Sequence, residues 1–515
     1  MAGAVLTPNW RASAGQTNGA RVSERPAPRA PVWDDRERII ELSERRARVA
    51  EFVGPKSLLV LLSGEPRVYA GDVDYKFRQE NNLFYLTHLN QPGVMLVLMP
   101  GHTKHREVLL LPRRSPAAEV WTGRTYSPEE ARAISGVGEI WEAGEFEPFM
   151  RATRQGRAFK PRAESILLSA NTAPVVSGSP TGNETLLTAI AQDAASLFLL
   201  LPSETESREF RREQELAGRL VQTDTGLTVR SAWPVFTRLR QVKSAAEVRL
   251  IQHAVDITAE SLARAAAIAG RASLEYEVEA EIDYTFRRLG AEGWGYPSIV
   301  GCGPNATTLH YTDASGACAP GELMLLDVGA EFGHYSADVT RTLPVSGRFT
   351  PAQADIYNAV LAAQEAALRA AKPGATLADV HNAAADSMRD SLLRLGLVTE
   401  RNSTQYGIWF MHGTSHWLGL NVHDVGQMGR KLEPGMVFTI EPGLYFRADA
   451  LERLAKRPEM SKFVEAVRPA FEKYKNIGVR IEDDVVITAD GHRNLSAAIP
   501  RTLNEVESLM NRVKH

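Results

Sequence analysis

The spacing of apolar residues over the first 225 positions predicts strands that alternate with helices. Short apolar runs indicate buried strands at residues 57–63, 94–99, 108–111, 166–168 and 197–201. Apolar residues at helical spacing indicate amphipathic helices over residues 34–53, 128–134 and 185–194. Because strands and helices alternate, we expect residues 34–225 to form an α/β domain.

A different pattern follows, in which two helices precede a group of strands and the order then repeats. Ser244 and Glu247 form a capping box that begins a long helix, and Thr350, Pro351 and Gln353 begin another. The predicted helices cover residues 245–269, 275–289, 350–371 and 377–395, and the predicted strands cover 298–301, 321–327, 335–342, 436–441 and 479–488. The repetition predicts an α+β domain over residues 233–515, with pseudo-twofold internal symmetry and a sheet curved around a cleft.

Length and charge narrow the classes of protein and of partner. The 515 residues are too many for one ordinary core, so at least two domains are expected. Lys and Arg number 59 against 62 Asp and Glu, which gives a formal net charge of −3. This balance offers no basic surface for nucleic acid or for an anionic membrane. No apolar run reaches the roughly 20 residues that a membrane-spanning helix needs.

Residues 1–33 have a composition that predicts a disordered tail. They are rich in Ala, Gly, Pro, Ser and Arg and poor in large apolar side chains. The tail lacks the apolar segment of a secretory signal, and its arginines give it only a weak likeness to an organellar targeting segment. We therefore expect a cytoplasmic protein.

The chain has two cysteines, Cys302 and Cys318. Two are too few for a disulfide framework. We interpret them as small buried apolar side chains, with a reactive thiol near the predicted site as the alternative.

Histidines and acids are concentrated in the second predicted domain. Three of the 12 histidines, His412, His416 and His423, lie close together, and neutral imidazole both binds transition metals and moves protons near neutral pH. Four acids lie in or beside apolar predicted strands, namely Asp327, Asp338, Glu441 and Glu482. An unpaired carboxylate is costly in such a strand, and a cation removes that cost. Carboxylates with one imidazole suit divalent ions, and two bridged ions are a common hydrolase device.

Five segments of this domain resemble the pita-bread metallopeptidases, the family that includes aminopeptidase P, prolidase and methionine aminopeptidase. They are LHYT (309–312), LLDVGAEFGHYSADVTRT (325–342), HGTSHWLGLNVHDVG (412–426), LEPGMVFTIEPGLY (432–445) and GVRIEDDVVIT (478–488). The first domain is similar to that of the aminopeptidase P and prolidase branch through FRQENNLFYLTHLNQPG (77–93) and AEVWTGR (118–124). Methionine aminopeptidases lack this domain, so the resemblance favours the aminopeptidase P and prolidase branch.

The resemblance implies a site with two divalent metal ions, most simply Mn²⁺, with Co²⁺ or Zn²⁺ as alternatives. By position, Asp327 would hold one ion, and Asp338 and Glu482 would bridge both. His416 and Glu441 would complete the second ion.

The same resemblance implies roles for further residues in the cleft. His310, His412 and His423 would line the cleft without binding metal, and His423 would donate a hydrogen bond to the scissile carbonyl. Glu441 would also move the proton of the attacking water. Tyr296, Tyr445 and Arg480 match positions that line the cleft or orient the ligands.

The implied reaction is the release of an N-terminal residue that precedes proline, through a metal-bridging hydroxide. The Xaa-Pro bond is a tertiary amide without an N–H group, which general peptidases handle poorly. The partners would be peptides with proline at the second position. The family tendency is a homodimer or a homotetramer.

Three functions remain open at this stage. The short interval between His416 and Glu441, 441 − 416 = 25, holds Arg430 and Lys431 as its Lys and Arg residues and favours an open, Xaa-Pro aminopeptidase site. The long interval 482 − 441 = 41, with a predicted helix over 458–474, is a feature that prolidases often have. Phe84 replaces a tryptophan that is common in bacterial aminopeptidase P, and we interpret it as a core residue. The complete set of acids and histidines disfavours the third possibility, a metal-free binding protein on the same fold.

Overall fold

The structure is a computed structural model that describes residues 28–169, 182–202, 208–221 and 226–512. Residues 1–27, and with them most of the predicted tail, lie outside the described residues. Among those described, no helix is both long enough and apolar enough to cross a membrane.

The first domain is built on one mixed sheet. Its strands are β1 Ser57–Leu61, β2 Val68–Ala70, β3 Val73–Asp74, β4 Met95–Leu98, β5 Glu107–Leu111, β6 Glu139–Glu142, β7 Ile166–Leu168, β8 Ala195–Leu199 and β9 Leu227–Ser231. Seven of them form the sheet in the order β7-β6-β5-β4-β1-β8-β9, while β2 and β3 form a separate hairpin. The central strand β1 is buried along its whole length and pairs antiparallel with β4 and parallel with β8.

Helices surround this sheet, and they confirm the expected α/β class. They are α1 Asp35–Val53, α2 Asn81–Thr87, α3 Pro116–Thr122, α4 Pro128–Ser135, α5 Phe146–Arg154, α6 Glu184–Ala191 and α7 Arg211–Val221. A further helix, α8 Trp233–Gln241, follows β9 and leads into the second domain. The edge strand β9 extends the sheet beyond residue 225, where the predicted domain ended. Its residues alternate between half-buried and exposed, so it has no apolar run that could reveal it.

The second domain contains two successive pairs of helices, each followed by antiparallel strands. Its helices are α9 Ala245–Ala269, α10 Glu275–Arg288, α11 Pro351–Ala370, α12 Leu377–Arg394, α13 Ala450–Ala455, α14 Ser461–Tyr474 and α15 Leu503–Arg512. The capping boxes predicted at Ser244 and Thr350 are both formed. Short 3₁₀ helices occur in both domains. In the first they lie at Ala143–Glu145, Ala163–Ser165 and Arg208–Phe210, and in the second at Gly303–Thr307, Thr404–Ile408 and Pro458–Met460.

The strands of this domain form several small antiparallel sheets. They are β10 Gly293–Trp294, β11 Ile299–Cys302, β12 Leu323–Val328, β13 Ala330–Phe332, β14 Tyr335–Ser336, β15 Val339–Pro344, β16 Val437–Ile440, β17 Gly443–Tyr445, β18 Gly478–Arg480, β19 Asp483–Ile487 and β20 His492–Asn494. The sheets have the orders β10-β13-β14, β11-β12-β15, β16-β19-β20 and β17-β18. Helix pairs α9–α10 and α11–α12 each precede one group, as the repetition in the sequence predicted.

Two strands predicted as continuous are each broken in the structure. The predicted strand 335–342 is divided into β14, which pairs with β13, and β15, which pairs with β12. The predicted strand 479–488 is divided between β18, which pairs with β17, and β19, which pairs with β16. The prediction of one continuous strand over 335–342 is therefore wrong, and Asp338 falls in the break between β14 and β15.

The interpretation of the two cysteines as free thiols is also wrong. Cys302 and Cys318 are joined by a disulfide, with their Cα atoms 5.3 Å apart. Both side chains are buried, as expected. They meet because β11 pairs with β12, and the loop between these strands returns to the start of α10, where the Cys318 N–H donates to the Ser273 carbonyl.

The aromatic residues of α2 belong to the core, as interpreted. Phe84 and Tyr85 are 5% and 3% exposed. Phe84 stacks on the ring of His334 in the second domain with 3.7 Å between ring centroids. Nearby, Arg78 forms a 2.8 Å ion pair with Glu331 and donates to the carbonyl of Leu420. These contacts fix the first domain against the strands and the histidine-rich loop of the second.

Candidate metal centre and active site

The predicted acidic residues lie where the small sheets of the second domain meet. Asp338 lies between β14 and β15, Glu441 between β16 and β17, and Glu482 between β18 and β19. Asp327 is near the end of β12, directly opposite Thr340 of β15. Each break in strand pairing thus turns a carboxylate out of its sheet and towards a shared centre.

The structure brings all five residues predicted as metal ligands together. Asp338, His416 and Glu482 each offer a donor atom within 4.8 Å of the others. His416 Nε2 also lies 3.3 Å from Glu441 Oε1. The Tyr296 hydroxyl oxygen connects the fifth residue, because it lies 2.5 Å from Asp327 Oδ1 and 2.6 Å from Asp338 Oδ1.

The concentration of buried negative charge perturbs these groups strongly. Burial, and then the carboxylates of Asp338, Glu441 and Asp327, raise the pKa of Glu482 well above its usual value. Burial likewise raises the pKa of Glu441 to about 7. Burial opposes protonation of His416, but the hydrogen bond to Asp338 and the charge of Glu441 raise its pKa to about 9. The raised pKa values mean that protonation of these groups is favoured, so the cluster attracts positive charge.

The donor set fits divalent cations. Carboxylates with one imidazole are the ligands that Mn²⁺, Co²⁺ and Zn²⁺ accept. The His416 ring is oriented for this role, because its Nδ1 lies 3.2 Å from the carbonyl of Trp417 and its Nε2 faces the carboxylates. A backbone carbonyl on one ring nitrogen fixes the tautomer and leaves the other nitrogen free to bind a metal.

Arg480 and Tyr445 form a hydrogen-bonded network on one side of this centre. The Arg480 guanidinium donates to Asp327, to the Tyr445 hydroxyl at 2.7 Å and to Thr340 Oγ1 at 3.1 Å. Thr340 in turn donates to Glu482 at 2.6 Å. The Thr340 hydroxyl thus connects Glu482 to Arg480, and this residue was not among the predicted site residues. In the sequence, Thr340 is visible only as a polar residue in a predicted strand. Its position opposite Asp327 comes from the strand pairing in the structure.

His412 lies beside this network. Its Nδ1 is 2.7 Å from the carbonyl of Gly413, so this nitrogen carries the proton, and its Nε2 accepts from the Tyr445 hydroxyl at 2.9 Å. Burial and the charge of Arg480 lower the pKa of His412 to about 4. The His412 ring is therefore neutral at neutral pH and adds no charge to this side of the site.

His423 and His310 lie on the more exposed side of the site. The His423 ring is 4.4 Å from the His416 ring, centroid to centroid. Burial, followed by the charges of His416 and His310, lowers the pKa of His423 to about 4. His310 is exposed and follows the 3₁₀ helix Gly303–Thr307. The three histidines predicted to line the cleft are therefore grouped with the acidic centre.

A buried ion triad, also missed in the sequence, anchors the histidine-rich loop. The Asp424 carboxylate, next to His423, pairs with Arg240 and with Lys243 at 3.1 Å, and all three side chains are at most 2% exposed. Burial opposes ionisation of Asp424, but Arg240 and Lys243 hold its pKa below its usual value. The triad fixes the loop to the segment that joins the two domains.

Asp424→Ala is expected to destabilise the protein by about 3–5 kcal/mol, because two buried cations would lose their counter-ion. Urea unfolding measures the change. The matched control is Asp386→Ala, which removes an exposed ion pair with Arg389 and should cost no more than about 1 kcal/mol. Equal effects of the two substitutions would contradict the anchoring role of Asp424.

Comparison with known proteins agrees with this site. Residues 249–489 match the model of metallopeptidase family M24, and residues 42–159 match that of the aminopeptidase P N-terminal domain. The Xaa-Pro aminopeptidase of Escherichia coli strain K12 is 32% identical over 481 residues, which are 91% of this chain and 97% of that protein.

Solved structures give the same result. The Pseudomonas aeruginosa aminopeptidase PepP has a TM-score of 0.75 at 29% identity and covers 92% of this chain and 98% of its own. Aminopeptidase P from E. coli with the inhibitor Pro-Leu has a TM-score of 0.73 at 30% identity, with coverage of 92% and 98%. The likeness extends over both domains. The chain belongs to the Xaa-Pro aminopeptidases, which are metallopeptidases of family M24.

Proposed function

We propose that this aminopeptidase works with two divalent metal ions held by Asp327, Asp338, His416, Glu441 and Glu482. The observation that carries the proposal is the convergence of the Asp338, His416 and Glu482 donor atoms among buried carboxylates. When bound, such ions would lower the pKa of a water molecule and polarise the scissile carbonyl.

The residues around the ions divide the remaining work. Glu441, which lies beside His416, takes the proton of the attacking water and returns it to the leaving proline nitrogen. His423 donates an N–H to the oxygen on which charge develops, a contribution that is often large in acyl hydrolysis. His310 lines the same side of the cleft and contacts substrate. Tyr296 holds Asp327 and Asp338 in position through its hydroxyl.

His412 and Tyr445 form the part of the site that contacts substrate. The Tyr445 hydroxyl is held by Arg480 and directed to His412 Nε2. Because Arg480 also holds Asp327, the substrate contacts and the metal ligands share one rigid network. Such a network keeps the reacting groups close to their working geometry.

Peptides longer than two residues are the proposed substrates. The inhibitor Pro-Leu, named with the E. coli enzyme, is the product that an Xaa-Pro-Leu peptide would leave. The alternative, a prolidase, would accept only Xaa-Pro dipeptides. We expect Xaa-Pro-Yaa and longer peptides to be cleaved in Mn²⁺, and the same peptides with alanine in second place to be poor substrates. Cleavage of the dipeptide alone would exclude the aminopeptidase reaction.

Manganese is the proposed metal, with Co²⁺ and Zn²⁺ as alternatives. The support is chemical, because a donor set of four carboxylates and one imidazole is rich in hard oxygen ligands. Metal analysis of the purified protein, with activity measured after chelation and replacement by each ion, tests the assignment.

We also propose that the protein is a homodimer or a homotetramer. The first domain, for which we keep residues 34–225 and add β9, carries exposed apolar side chains that a second copy could cover. They are Val68, Tyr69, Val73 and Tyr75 around the β2–β3 hairpin, and Val120 and Trp121 on α3. Sedimentation of the protein, compared with Trp121→Glu, tests the assembly.

The cytoplasm remains the proposed location. The disulfide makes this proposal testable, since disulfides are rare in reducing compartments. Cell fractionation, with thiol labelling of the fractionated protein, would reveal both the compartment and the state of Cys302 and Cys318.

A further inference from the structure

The loop at residues 303–317 brings His310 to the cleft. It follows β11 and returns before β12. Leu309 and Tyr311, the neighbours of His310, pack on a small buried cluster that includes Leu325 and Tyr445. The backbone on both sides of His310 is therefore fixed relative to Tyr445, a residue of the candidate site.

Glu275 holds this loop through four hydrogen bonds. It is fully buried at the first turn of α10. Its Oε1 accepts from the Cys302 N–H at 2.6 Å and from Asn305 Nδ2 at 2.9 Å. Its Oε2 accepts from the Tyr311 hydroxyl at 2.8 Å and from the Gly316 N–H at 2.7 Å. One carboxylate thus binds both ends of the loop and the residue next to His310.

The disulfide closes the same loop covalently. Cys302 and Cys318 are separated by 16 positions in the sequence and enclose residues 303–317. The Glu275 N–H donates to the carbonyl of Gly316 at 3.0 Å, so α10 and the closing end of the loop are joined by backbone as well. The disulfide and Glu275 therefore act on the same segment.

We propose that Glu275 and the Cys302–Cys318 disulfide form a clamp that positions His310 for the reaction, so that opening the disulfide lowers turnover while the metal ligands stay in place. The inference rests on the proposed function, in which His310 contacts substrate. Glu275 and the cysteines are positioning residues, since they act through the loop.

Opening the disulfide requires a reductant such as a dithiol. The dithiol transfers two electrons and two protons, the S–S bond breaks to give two Cys thiols, and the dithiol becomes a cyclic disulfide. The hydrogen bonds of Glu275 remain, so the reduced loop is loosened rather than released. Reduced wild-type protein should therefore keep a higher kcat than reduced protein that also lacks the Glu275 carboxylate.

Glu275→Gln is the most informative substitution, because it keeps the size of the side chain. Each Glu275 oxygen accepts two hydrogen bonds, so either orientation of the amide would direct an NH₂ group at two donors. We expect kcat for an Xaa-Pro-Yaa peptide to fall about 10- to 100-fold, by analogy with the loss caused by removing a group that orients a metal ligand, with the metal content unchanged.

A double-mutant cycle with His310→Ala separates positioning from general stability. If the clamp acts through His310, Glu275→Gln should lower kcat less than about twofold in the His310→Ala background. The same loss in both backgrounds, or a loss of metal in Glu275→Gln, would overturn the proposal. Failure of the wild-type protein to cleave Xaa-Pro-Yaa would instead overturn the proposed function.

The disulfide is tested without mutation on the folded metal-loaded enzyme. Dithiothreitol should lower kcat, and reoxidation should restore it. The control is the double variant Cys302→Ala with Cys318→Ala, which should match the reduced enzyme and be insensitive to dithiothreitol. Sensitivity of this variant would indicate that the reagent removes metal, and full activity of the reduced wild type would overturn the role of the disulfide.

Discussion

Asp338→Ala is expected to lose bound metal and to lower kcat/KM for an Xaa-Pro-Yaa peptide by more than about 100-fold. Groups that only orient metal ligands contribute about 10- to 100-fold, and Asp338 is proposed as a ligand of both ions. Its carboxylate lies 3.3 Å from His416 Nε2 and shares the Tyr296 hydroxyl with Asp327. Removing it would leave His416 and Glu441 without their central partner.

Metal analysis and kinetics on the same preparation measure this result. Asp490→Ala is the matched control, because Asp490 is an exposed residue in the turn after β19 whose carboxylate accepts a hydrogen bond from the Thr488 hydroxyl, and it should keep both metal and activity. Far-ultraviolet circular dichroism verifies that the Asp338 variant is folded. Full activity in a metal-free Asp338 variant would refute the metal centre.

The structure shows which parts of the fold are local enough to be predicted. Strand β1 is recognisable from a run of consecutive apolar residues. Helix α9 is recognisable from a capping box followed by apolar residues at helical spacing. The helix α3 was not predicted, because its seven residues are too few to show helical spacing, and its large apolar side chains, Val120 and Trp121, are exposed. Strand β9 was missed for a similar reason, as an edge strand with mixed burial.

The breaks between strands are not visible in hydrophobic periodicity, because the residues on both sides are buried. At Gly329 the chain passes so close to its neighbour that a Cβ would lie 1.8 Å from the Ala337 carbonyl oxygen. This contact accompanies the change from β12 to β13 and the displacement of Asp338 from a regular strand. Asp338 could be identified from the sequence, but the direction of its side chain depends on which strands pair.

The same distinction applies to the site. Asp327 and Glu482 stood out because a carboxylate in an apolar segment needs compensation. Asp424 and Glu275 are equally buried, but their partners Arg240 and Tyr311 come from other parts of the chain. The disulfide belongs to this class as well. Groups that hold a site in position are thus harder to recognise than groups that form it, since their meaning lies in long-range contacts.

The largest expected effect without loss of metal is that of His423→Ala. We expect kcat to fall about 100- to 1,000-fold, the range observed when one hydrogen-bond donor to a developing oxyanion is removed. Burial and the charges of His416 and His310 keep the pKa of His423 near 4, so the ring is neutral at neutral pH and presents one N–H donor. A neutral donor stabilises charge in the transition state without repelling the ions.

The comparison with His416→Ala gives this prediction its sharpest form, because the two rings are only 4.4 Å apart and differ in their proposed roles. Loss of His416 should reduce metal content together with rate, whereas loss of His423 should reduce the rate alone. His423→Gln, which retains an N–H donor, should recover part of the rate. If His423→Ala also loses metal, the ring is a ligand rather than a donor to substrate, and the division of work between the two histidines has to be reversed.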